Sequence, residues 1–120
     1  MYEVTLLRTC NRPLKFRGEL TASANTWLDQ GPQDRWFVLS LYRTDSLQYV
    51  LYVSYRSNYD VEFPTDHAFV TQSIAEAVEV LRTEIPDQLH RDVFHTTHTL
   101  RQRYDQAVTE LLSDVEPEEL

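Results

Sequence analysis

The sequence predicts an α+β fold: an antiparallel β-meander of about four to five strands, with two C-terminal helices packed on one of its faces. Three observations lead to it. The stretch from Arg35 to Arg56 (RWFVLSLYRTDSLQYVLYVSYR) holds two alternating apolar runs separated by Thr44, Asp45 and Ser46, the pattern of a β-hairpin. At Ser73 the apolar period changes from two to about 3.6 residues. Beyond that point the pattern stays helical, so strands come first and helices last.

The hairpin sets the frame. A one-residue slip would turn every side chain over, so the register is judged by which pairing gives one consistently apolar face. Grouping odd positions puts Phe37, Leu39 and Leu41 beside Leu47, Tyr49, Leu51, Val53 and Tyr55, and this face is expected to be core. The even face holds Trp36, Val38, Ser40, Tyr42, Gln48, Val50, Tyr52, Ser54 and Arg56, which is mixed and aromatic. The parity implies a loop of odd length, taken as Thr44, Asp45 and Ser46.

Before the hairpin, Tyr2–Arg8 alternates briefly, with Val4 and Leu6 on one side, and Thr9–Pro13 breaks it. A second extended segment runs from Leu14 toward Trp27. In its first half Leu14, Phe16, Gly18 and Leu20 alternate with polar residues, whereas TASANTW fits neither strand nor helix well. Asp29–Asp34, with its Gly-Pro pair, reads as a turn.

After the hairpin, Ser57–Asp66 reads as a loop and His67–Gln72 as a short strand. Ser73 and Glu76 have the spacing of a capping box, and Ile74, Val78, Leu81 and Ile85 form one helical stripe. Pro86 is hostile to a helix interior, so the first helix is expected to break near Ile85 and a second to begin there. The second carries Leu89, Val93, Leu100, Tyr104, Val108, Leu111 and Val115, with an interruption expected at Thr96–Thr99. Residues 1–115 are read as a single domain and 116–120 as an acidic flexible tail.

Composition excludes several functions. Hydrophobic residues at 42% and charged residues at 25% suit a folded chain rather than a disordered one. The single cysteine, Cys10, rules out an internal disulfide and a Cys-rich zinc site. With two glycines, Gly18 and Gly31, there is no Gly-rich phosphate loop or dinucleotide fingerprint. No apolar run approaches the roughly 18 residues needed to span a bilayer, and a cytoplasmic location is expected. The net charge of −8 opposes generic attraction to phosphate backbones. It is uneven: Met1–Asn58 has seven basic residues against five acidic, and Tyr59–Leu120 has four against fourteen.

The strongest candidate for function is the even face, where Trp36, Tyr42 and Tyr52 flanked by Arg35, Arg43 and Arg56 would suit a protein partner or stacked bases. Phe94, beside His98 on the second helix, is expected to be an exposed contact and would suit a homodimer. His95 and His98 are three residues apart with Asp92 nearby, but Arg91 lies beside them and the group falls on the solvent side of the helix, so no metal is expected. No cofactor is expected either. Cys10 between Arg8 and Arg12 has cations nearby without a histidine at a recognisable spacing, and Glu19, Asp60, Glu62 and Asp66 form no pair with a reason to meet.

The leading expectation is therefore a non-enzymatic macromolecule-binding protein, an adaptor or inhibitor, with a protein partner favoured. An acidic helical face that imitates nucleic acid, as in a phage- or plasmid-type inhibitor, is one form of it. A nucleic-acid-binding protein using the aromatic and arginine face is the alternative, and a small metal-dependent or cysteine enzyme the second alternative.

Overall fold

A computed structural model describes residues 1–26, 35–59, 62–91 and 98–115, with backbone alone for Gln88, His98 and Thr99. Five strands, β1 (Tyr2–Leu6), β2 (Leu14–Asn25), β3 (Arg35–Thr44), β4 (Tyr49–Ser57) and β5 (Thr65–Thr71), form one antiparallel sheet in sequence order. Helix α1 (Ile74–Glu79) runs directly into a π-helical segment (Val80–Leu89), and α2 (His98–Ser113) follows. The expected α+β meander with helices on one face is what the chain forms. Among the described residues no helix is long and apolar enough to cross a membrane.

The two faces of the hairpin are the expected ones, although the register differs from the one a Thr44–Ser46 loop would set. Phe37 faces Tyr55, Leu39 faces Val53 and Leu41 faces Leu51, and all six are buried. Each such side chain contributes about 1.5–3 kcal/mol when fully withdrawn from water. The loop does have an odd length, but it is shifted by one residue. Arg43 pairs with Tyr49 and the Thr44 amide donates to the Gln48 carbonyl, so the loop is Asp45, Ser46 and Leu47. Leu47 therefore leaves the core face, where it had been expected, and lies exposed with a left-handed φ of 64°.

The ambiguous half of the second segment is strand, reconciled by a β-bulge. Leu20 faces Tyr42 and Ala22 faces Leu41, leaving Thr21 as an extra residue. Before the bulge the even positions of β2 share a face with Tyr42 and Thr44; after it, Ala22 and Ala24 turn to the helix side and are buried. Their small side chains let α2 lie across β2 and β3, where Leu100, Tyr104, Ala107, Val108 and Leu111 complete the core.

The face away from the helices also has a cover. The sheet curls so that the segment after β1 meets the start of β5: the Thr9 amide donates to the Asp66 carbonyl at 2.8 Å, and the Asp66 amide donates to Thr9 Oγ1 at 2.7 Å. The Tyr52 hydroxyl donates to the Leu7 carbonyl at 2.6 Å across the same face. Leu6, Val50 and Ser54 are buried inside this curl. Gly18 lies where β2 leaves no room for a side chain against β3, since a Cβ there would sit 2.5 Å from the Arg43 carbonyl oxygen.

The first helix starts as expected. Ser73 caps it by accepting from the Glu76 amide at 3.2 Å, and the Glu76 carboxylate reaches back to the Gln72 amide at 2.8 Å. It does not break at Pro86. In an α-turn the proline ring would strike the carbonyl four residues back; here the chain widens to π winding at Val80 and carries Pro86 inside, fully buried, to Leu89. The widening moves the stripe: His90, five residues after Ile85, is buried, and Leu89, four residues after, is exposed. Of the interruption expected at Thr96–Thr99, His98 and Thr99 are instead the first turn of α2, while Thr96 and Thr97, the turn at 29–34, Val93 in the second stripe and the acidic tail lie outside the described residues.

Candidate functional site

The residues expected to form one aromatic and arginine surface are divided by strand alternation. Trp36, Tyr42, Tyr52 and Arg56 share the curled face, and each is half-buried. Arg35 and Arg43, at odd positions, belong to the helix-side face. Tyr52 is held to Leu7, and Arg56 is committed to β5 by an ion pair to Asp66 at 3.0 Å and a bond to the Thr65 carbonyl at 3.3 Å. Arg43 is exposed at the opposite end of β3, beside Glu19, Tyr49 and Asp114. His98 opens α2, while Phe94 and His95 lie outside the described residues.

Arg35 belongs to a cluster that the sequence does not announce, at the end of the sheet where β3 begins and β4 ends. Glu62 accepts there from Arg35 Nε at 2.9 Å, from Ser57 Oγ at 2.5 Å, and from the Tyr55 hydroxyl at 3.3 Å to each oxygen. Arg35 also stacks 4.4 Å from the Tyr59 ring centre. Burial acts to raise the Glu62 pKa, but the Ser57 and Arg35 hydrogen bonds together with the Arg35 charge hold the carboxyl below its ordinary range. Burial and the Glu62 charge push Tyr55 up to about 12. Glu62 stays ionised with its lone pairs occupied and Tyr55 stays protonated, which suits a clasp on the connection to β5 better than proton transfer.

Behind the clasp, His90 stands among Phe37 at 5.0 Å, Tyr55 at 4.9 Å and His67 at 6.2 Å between ring centres. Burial, and then the neighbouring His67, lower its pKa to about 4; burial also lowers that of His67. Both imidazoles are thus neutral near pH 7. Among the described residues His90 Nε2 has no hydrogen-bond partner, and no group of three or more His, Cys, Asp or Glu is arranged to hold a metal ion. Cys10 is exposed on the turn after β1.

A further feature is a groove of about 670 Å³ between β5 and the arm formed by α1 and the π segment. Ala68, Phe69, Val70 and Thr71 form one wall, and Val80 and Thr83 lie on the helical side with Glu76, Glu79 and Glu84. The lining contains no cation. Acidic helices were legible in the sequence; that β5 is a sheet edge bordering them was not, because it depends on strand order. Comparison with protein-family models, curated proteins and solved structures gives no match.

Proposed function

We propose that this chain is a non-enzymatic binding protein, an adaptor or inhibitor, whose partner is another protein docked in the groove between β5 and the α1–π arm. The observation that carries the reading is the groove itself, in which an apolar strand edge lies beside three carboxylates with no balancing cation. Such a site complements a basic protein surface, and the net charge of −8 would speed the encounter. The aromatic face is less suited to bases than its composition suggests, because Arg56 is engaged by Asp66 and Arg35 lies on the other face, engaged by Glu62.

The test is recovery of the complex from the native host, followed by amide-exchange mapping of the bound and free chain. Protection at Ala68–Thr71 and along Glu79–Glu84 is expected, with affinity falling as salt rises. Protection confined to Trp36, Tyr42 and Tyr52 would overturn the placement. Recovery of nucleic acid in place of protein would overturn the class.

A further inference from the structure

We infer that the groove takes an extended peptide segment with Lys or Arg at alternate positions, added to β5 as a sixth strand; this rests on the protein-binding reading above. The first argument is the backbone. Asp66 turns both its amide and its carbonyl toward Thr9, away from β4. Alternation along the strand then points the amides and carbonyls of Ala68 and Val70 outward too, at the repeat that a partner strand would match. Among the described residues nothing hydrogen-bonds those four groups. Exposed edges are commonly blunted by lysine, proline or a bulge, yet the strand from His67 to Val70 carries none of these, and Val70 is half exposed.

The second argument is the wall opposite. Glu79 and Glu84 are five residues apart, which α winding would place about 140° apart around the axis. They line one groove because π winding brings residues five apart toward the same side. A strand lying on β5 turns every second side chain toward that wall, so cations at alternate positions meet both carboxylates. A second copy of this chain is a poorer occupant, since it would set the same carboxylates and a charge of −8 against themselves.

The probes are a capped peptide of about eight residues alternating Lys and Val, and its Glu–Val counterpart, titrated at low salt against isotope-labelled full-length chain. The Lys–Val peptide is expected to shift and protect the amides of Ala68 and Val70, and the Glu–Val peptide to leave them unchanged. Glu79→Lys combined with Glu84→Lys should weaken binding by about tenfold or more. Val70→Pro removes an amide that points away from β4, so the sheet keeps its pairing while binding is lost. Should that variant fail to fold, N-methylation of the peptide at alternate residues gives the same readout on the native chain, and one of the two methylation phases should abolish binding. Absence of binding by the Lys–Val peptide, or equal binding to Val70→Pro, would overturn strand addition. If a host complex still mapped to the groove, the docking reading would stand without it. A concentration-dependent dimer that Val70→Pro dissolves would instead assign the edge to a second copy and overturn the inference.

Discussion

The Tyr104 hydroxyl donates a hydrogen bond to the backbone carbonyl of Leu81, and in π winding that carbonyl is the one Pro86 cannot serve. The amide of residue i bonds the carbonyl of residue i−5 in such a turn, as the His90 amide does with the Ile85 carbonyl at 2.9 Å. Residue 86 would bond residue 81, but proline has no amide hydrogen. The hydroxyl from α2 fills the gap, and both Leu81 and Tyr104 are fully buried. Tyr104→Phe keeps the ring and removes the donor, so it should cost about 1–3 kcal/mol in urea unfolding, the penalty for a buried carbonyl left unpaired. Pro86→Ala restores an amide and should recover part of that loss in the double variant. Independent, additive effects of the two changes would show that Leu81 does not link them.

His90 makes stability depend on pH. Its pKa falls from the ordinary histidine value to about 4 in the folded chain, so between those values the unfolded state binds more protons. The His90 contribution is complete above about pH 6.5 and declines as pH falls toward 4, amounting to about 3 kcal/mol at most. The groups around it act as follows: His67, also lowered, adds in the same direction; Tyr55 does not titrate in this range; and Glu62, held low, adds a loss at lower pH. Urea midpoints measured from about pH 8 to about pH 5 should decline for the native chain and decline less for His90→Phe, which packs against Phe37 and Tyr55 without a titrating nitrogen. Equal slopes for the two proteins would remove His90 from the account.

These two cases show where sequence pattern was a sound guide and where it was not. The hairpin faces were legible because a period of two leaves a single choice of face with Phe37, Leu39 and Leu41 all inside, but a two-residue shift keeps that face, so the pairing and the loop position were not legible. The Ser73 cap was legible because its hydrogen bonds lie within four residues. Pro86 misled, since its usual effect on a helix assumes that the winding stays α and that no tertiary donor is at hand. Once the winding widens, a four-residue rule selects Leu89 where a five-residue rule selects His90. The Thr21 bulge hid the burial of Ala22 and Ala24 in the same way, by changing the face of β2 at a residue with no special chemistry. The candidate groove was half legible: its carboxylates stand in the sequence, but the edge beside them follows from β5 being the last strand of the sheet among the described residues, where the curl meets it at Asp66.

The loop of the central hairpin offers the last test. Asp45–Ser46–Leu47 closes with its third residue in the left-handed region, at a φ of 64°, the place that three-residue hairpins usually give to glycine. A leucine there carries about 1–2 kcal/mol of steric cost, and the residue is 66% exposed, so little packing compensates. The loop is closed by other groups: Thr44 Oγ1 accepts from the Gln48 amide at 3.0 Å and lies 3.0 Å from Ser46 Oγ. Leu47→Gly should therefore leave the register intact and relieve the strain. After the greater chain entropy that glycine loses on folding, a net gain of about 0.5–1 kcal/mol is expected, or about 2–5 °C in Tm. Leu47→Ala is the discriminating control, because it shortens the exposed side chain but keeps a Cβ at positive φ. If alanine stabilised as much as glycine, the gain would come from removing exposed apolar surface and not from the backbone. If only glycine stabilises, the left-handed residue is the cause.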